Sequence, residues 1–296
     1  MTENTKTVSL VLGSGGARGL CHIGIIHYLQ EQGYVIKSVS GCSMGALVGG
    51  VFAAGKLDEF EHWARAISKS SMVSLLDLAW DSSGLLKGDK IIVALRQLVG
   101  EQAIESLAVS FTAVAADVAG EKEVWLQKGC LFDAIRASIS LPLLLTPFNF
   151  NGTPLIDGGV LNPVPIAPTF GDNNDLTIAV NLGGMAVHKL PDTEKKLEQA
   201  GEPSIYKEVV GRFLSQFEKA GGSLMSKNLG AYDIASQAFD AMQGTIARQK
   251  LAAYPPDVVI EIPRNICGML EFDRADEMIH FGYQQAQQVL QNSANH

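Results

Sequence analysis

The chain has 296 residues, 47% of them hydrophobic, enough to fill a substantial core in one large domain or two small ones. Its charge of −8, from 23 Lys+Arg against 31 Asp+Glu, comes with no basic run interleaved with aromatics, which argues against nucleic acid as a partner. Cys21, Cys42, Cys130 and Cys267 form no C-x-x-C pair, so neither a disulfide framework nor a zinc site is expected, and a reducing compartment fits. The start, MTENTKTVSL, lacks an apolar signal core, and no apolar stretch reaches the ~20 residues of a spanning helix. The expectation is a cytoplasmic protein that can touch the inner membrane face without crossing it.

Residues 8–12 read as a short apolar strand that ends in glycines, and 17–32 follow with apolar residues at helical spacing before Gly33. The pattern then repeats. Residues 35–40 read as a strand, GCSMG as a turn, and a helix runs on through Ala54 until Gly55 ends it. Two strand–turn–helix units in series predict a mainly parallel sheet with helices on both faces, a three-layer α/β sandwich. Helices are expected at 57–68, 89–99, 131–138 and 275–290. A hairpin is expected across AGEK, from 110–118 to 123–127, and buried strands at 176–181 and 258–262. Residues 191–254 read as mainly helical with breaks near 221–223, a lid, a layer over the sheet or an oligomer contact. No linker sets that segment apart, so one domain is expected over 1–296, with core motifs in 8–168 and a late strand and helix in 256–293.

Three stretches carry chemistry. In GCSMG, residues 41–45, Ser43 sits between two glycines, which give room for a turn tight enough to expose a side chain between strand and helix. The helix that starts at Met44 aims N–H groups and its positive dipole end at the serine oxygen. On its own the pattern is equally a close strand-to-helix crossing, and Cys42, off the apex, reads as a small core residue.

GSGGARG, comprising Gly13, Ser14, Gly15, Gly16, Ala17, Arg18 and Gly19, can present several N–H groups to one anionic point. A P-loop needs Lys and then Ser or Thr after its last glycine, where Leu20 and Cys21 stand. A dinucleotide fingerprint needs glycine at Arg18 and an acidic residue closing the second strand, and neither is present. An oxyanion loop is the reading that survives. Arg18 braces the loop, contacts a substrate's polar head, or is solvated.

In LIDGGVLNPVP, Asp157 precedes two glycines. In isolation that is turn chemistry; beside a serine in need of a base, it is the best-placed carboxylate.

These stretches, in this order, resemble the patatin-like phospholipases, especially their short bacterial members. The resemblance implies an oxyanion loop at Gly13–Gly19, a nucleophile elbow with Ser43 at its apex, an Asp-Gly-Gly segment at Asp157, and the A-S-x-x-x-P element seen here as ASISLP, residues 137–142. Ser14 stands where the family often has glycine. The match is firm over residues 8–168. It implies a serine acyl hydrolase of lipid esters, phospholipase or lysophospholipase in type, working through a Ser43–Asp157 dyad without metal or cofactor, with Met44 adding an oxyanion donor. The alternative is a degenerate member acting as a regulatory or adaptor protein. Of the six histidines, His22, His27, His62 and His280 fall in helical patterns and His296 is terminal. His188 follows Ser43 and Asp157 in chain order, as in α/β-hydrolase triads, and is the rival base.

Overall fold

Thr7–Leu12 forms β1, whose alternation decides which side chains meet which layer. Val8, Leu10 and Leu12 enter the main core, and Val11 points the other way. The computed structural model describes residues 6–68, 86–142, 144–187 and 229–293. After β1 the chain makes a 3-10 turn, Gly16–Leu20, and then α1, Cys21–Glu31. The predicted helix thus begins with a tighter turn, because the Ala17 N–H is drawn to the Met269 carbonyl at 2.8 Å.

β2 (Val35–Cys42), α2 (Met44–Ala53), α3 (Leu57–Arg65) and α4 (Asp89–Val99) follow. Then come β3 (Ser110–Asp117), β4 (Lys122–Leu126) and α5 (Leu131–Ser138). The predicted hairpin is present, with Asp117 opposite Lys122. The sequence reading left out a second hairpin, β5 (Phe148–Phe150) to β6 (Thr153–Asp157). Its signal is the Asn151-Gly152 pair, both residues at positive φ (50° and 86°) as a two-residue hairpin turn requires. β7 (Leu176–Gly184), α6 (Leu229–Ala253), β8 (Val258–Pro263) and α7 (Ala275–Ser293) complete the order.

Among the described residues there is one eight-stranded sheet. β3, β2, β1, β7 and β8 are neighbours in that order and run parallel. The chain steps from β1 outward through β2 to β3, and later from β7 outward in the opposite direction to β8. Right-handed crossovers then place α1 and α2 on one face and α6 on the other. The cores agree: Ile25, Val48, Ile135 and Met278 pack with Leu10 and Leu12, while Ala247 of α6 packs with Val11, Ala179, Val164 and Ile166. The expected three-layer α/β fold with a mainly parallel sheet is the fold observed. Residues 188–228, most of the predicted helical segment, lie outside the described residues, as does His188.

β3 positions the site. Its residues Ser110–Val114 pair with β2, and Ala115 and Ala116 pair with β6. β4 pairs with residues from both stretches, so it holds the opposite edge, and β2 and β6 share one edge end to end. Cys42 lies beside Val114 and Asp157 beside Ala115, so the ends of two strands far apart in sequence abut.

Candidate active site

Ser43 leaves β2 with φ 55° and ψ −124°, a left-handed conformation costly for a residue with a Cβ, about 1–3 kcal/mol. Three contacts hold it there. Its N–H donates to Ser138 Oγ at 3.0 Å, and the Ser138 hydroxyl donates on to the Val114 carbonyl at 2.6 Å. Its carbonyl accepts from Ala46 and Leu47, which starts α2. The room for the bend comes from Gly45, where a Cβ would lie 2.0 Å from the Leu12 carbonyl oxygen, and from Gly41, where one would lie 2.4 Å from that of Gly45.

Asp157 ends β6 and is fully buried. Its Oδ1 accepts from the Gly159 N–H at 2.8 Å, the predicted turn chemistry, and faces the Cys42 thiol at 3.8 Å. Oδ2 is buried and has no hydrogen-bond partner among the described residues. Burial raises the carboxyl to about 6; the Ser43 hydroxyl, then the Gly159 N–H and the Cys42 thiol, pull the other way. One carboxylate thus makes the turn contact through Oδ1, and its buried Oδ2 is left without a partner among those residues.

The ASISLP element touches both residues. Ser138 holds the Ser43 N–H, and the Ser140 carbonyl accepts the Asp157 N–H at 2.9 Å. Arg136 donates to Ser140 Oγ at 2.6 Å. Sequence reasoning marked the motif but not these contacts, which connect residues about 95 and 17 positions apart.

The glycine loop divides by what its N–H groups already do. Those of Gly13, Ser14 and Ala17 donate to the carbonyls of Val180, Pro163 and Met269. Those of Gly15 and Gly16 have no partner among the described residues, and the N–H of Met44, first in α2, has no intrahelical acceptor. Gly16, Ser43 and Met44 line one open apolar cleft, with Leu47, Trp63 and Leu145 on its walls. Gly16 has φ +59°, and a Cβ there would lie 2.5 Å from the Met269 carbonyl oxygen. Gly19 lies under Met44.

Arg18 lines a different, smaller pocket with Ser14, Asp240, Gln243 and Arg264. Its Nε donates to the Gly15 carbonyl at 3.0 Å and its Nη1 to the Arg264 carbonyl at 2.6 Å, with Asp240 at 3.8 Å. Of the three readings of Arg18, these contacts are those of a brace. His22 adds a second brace: its Nε2 lies 2.9 Å from the Gly13 carbonyl, and burial lowers its pKa to about 4, so it is a neutral N–H donor to the loop. The sequence placed His22 only as a packed helical residue. No histidine lines the cleft among the described residues, nor do those residues hold a group of His, Cys, Asp and Glu that could bind a metal.

Residues 10–170 match the patatin-like phospholipase family. An uncharacterized NTE family protein of Mycobacterium tuberculosis is 38% identical over 334 residues, covering 98% of this chain and 92% of that one. The lysophospholipase NTE1 of Pyricularia oryzae is 27% identical over 293 residues; the alignment covers 97% of this chain but 18% of that much longer protein. The crystal structure of VipD from Legionella pneumophila aligns over 97% of this chain and 67% of its own, with a TM-score of 0.47 and 14% identity.

Proposed function

The chain belongs to the patatin-like phospholipase family, and from that premise we propose that it hydrolyses fatty-acyl esters of phospholipids or lysophospholipids through a Ser43–Asp157 dyad. The observation that carries the reading is one arrangement: a serine in a strained bend, facing a buried carboxylate and opening onto an apolar cleft. At the level of the family, the enzyme is a lipid ester hydrolase.

An acyl chain enters the cleft because its walls offer apolar surface and no charged side chain among the described residues. Ser43 Oγ attacks the ester carbonyl while Asp157 Oδ2 takes its proton. The oxyanion of the tetrahedral intermediate accepts from the N–H groups of Gly15, Gly16 and Met44, the amides left without partners. Each such donor is worth about 3 kcal/mol in the transition state. Collapse breaks the ester C–O bond, and the protonated Asp157 returns its proton to the leaving alkoxide. Water then attacks the acyl-enzyme, again giving its proton to Asp157, and Ser43 leaves with that proton as the fatty acid departs.

The raised pKa of Asp157 serves this cycle: a carboxyl near 6 is a better base than one near 4 and is still mostly ionised at neutral pH. No helix among the described residues is long and apolar enough to cross a membrane; transient contact with a membrane surface is part of the proposal.

A fluorophosphonate probe tests the proposal. One adduct is expected on Ser43, absent in Ser43→Ala; an unreactive wild type overturns it. Turnover of p-nitrophenyl esters and lysophospholipids by Asp157→Asn and His188→Ala separates dyad from triad. Loss in the histidine variant alone overturns the dyad.

A further inference from the structure

Within the GCSMG turn, Gly41 and Gly45 give room, Ser43 is the nucleophile and Met44 offers an amide, which leaves Cys42 without a part in the proposed mechanism. In the fold it is the last residue of β2, fully buried, and β3 sets it against Val114, one position from the Ala115 partner of Asp157. Its thiol lies 3.8 Å from Asp157 Oδ1, and no other partner of that thiol is found among the described residues. We propose that Cys42 is a positioning residue for the base, its S–H donating to Asp157 Oδ1 and holding the carboxylate ionised with Oδ2 turned to Ser43.

The chemistry of both groups fits the contact. Burial raises the thiol well above its ordinary range, with the negative charge of Asp157 adding to the effect, so sulfur keeps its proton and donates it toward the ionised carboxylate, which can only accept. Oδ1 then receives two donors, the Gly159 N–H and the thiol, while Oδ2 is left for the serine. A hydrogen bond to the charged form stabilises it, so the thiol opposes part of the desolvation that raises Asp157. The remaining groups around the pair are few. Ser43 and Gly159 act on the carboxylate directly, and Glu123 of β4 reaches the thiol through space. Glu123 is itself held by Lys250 of α6 at 2.7 Å and by Asn162 at 2.9 Å.

The inference rests on Asp157 being the base, and the experiment separates the two. The rate of Ser43 phosphonylation by a fluorophosphonate is measured against pH in wild type, Cys42→Ala and Cys42→Ser. Removing a weak S–H donor is expected to move the acid limb upward by roughly half a pH unit in the alanine variant. The serine hydroxyl, a stronger donor of similar size, returns the limb to the wild-type position or below it. Limbs that coincide in all three proteins, or that rise equally in both variants, overturn the role of the thiol. A wild type with no acid limb near pH 6 overturns instead the assignment of Asp157. A second readout does not depend on turnover. The S–H stretching band of Cys42, isolated as the infrared difference between wild type and Cys42→Ala, is expected to shift in Asp157→Ala; an unmoved band also overturns the proposal.

Discussion

The glycine loop has two sides of different character. Toward Ser43 it borders a cleft walled by Leu20, Trp63, Ile91, Leu144 and Met269; behind, it closes a smaller pocket walled by Ser14, Arg18, Asn181, Asp240 and Gln243. The polar pocket is already engaged with itself: Arg18 bonds two carbonyls, and Gln243 reaches Ser14 Oγ at 3.4 Å. The cleft offers apolar surface with one hydroxyl at its edge. A ligand gains free energy by covering apolar surface that otherwise faces water and gains little from donors already paired. One side is therefore scaffold, and the other is the side on which the proposed function places the substrate.

The comparison breaks first at its chemistry. Ser43→Ala is expected to lose roughly 10⁴-fold or more of ester turnover, the scale of removing a nucleophile from a unit that acts together. Asp157→Asn is expected to lose on the order of 10³-fold, and the wild-type kcat/KM to fall as pH drops through about 6, where the carboxyl takes a proton. A rate independent of pH from 5 to 8 would falsify Asp157 as the base.

The same carboxyl makes a prediction about stability. Its folded pKa lies above its unfolded value, so it favours the fold fully below about 4 and that contribution is lost as pH rises through about 6. At neutral pH the ionised group is thus a cost, up to about 3 kcal/mol for a shift of about two units. Asp157→Asn, whose side-chain oxygen still accepts from Gly159, is expected to melt higher than wild type at neutral pH and no higher at acid pH.

Arg18→Met sharpens the comparison from the scaffold side. It frees the Gly15 and Arg264 carbonyls, so kcat is expected to drop about tenfold with KM little changed, since the amides proposed to hold the oxyanion lose their alignment. A KM that rises for lysophospholipid but not for a p-nitrophenyl ester would instead make Arg18 a head-group contact. The smallest effect belongs to the cleft wall. Trp63→Ala is expected to raise KM several-fold for long-chain esters and to leave short-chain esters unaffected, by analogy with the modest worth of apolar contacts in a pocket.

Much of the fold was readable in advance. The strands that flank the two glycine turns, the 110–126 hairpin and the late strand and helix follow from period and turn residues, and those are local properties. The second hairpin was readable too, from Asn151-Gly152, but β5 is three residues and β6 five, too short to show alternation. Within the site, Ser43, Asp157 and the glycine loop carry residue types that constrain the backbone, so they leave a mark in sequence. Ser138 and Ser140 show only as members of the ASISLP element and His22 and Cys42 only as core residues, because a serine that holds an amide 95 residues away looks like any helix-end serine.

By itself, then, the sequence determined the elements, the sheet type and the three stretches whose glycines demand unusual backbone. Only tertiary structure decided which loop amides remain free, which way Arg18 turns, and that Asp157 stands beside Cys42 and Ser43. The reason is that β3 lends one edge to two strands in turn, β2 and then β6, and a shared edge is a property of pairing that no single segment encodes.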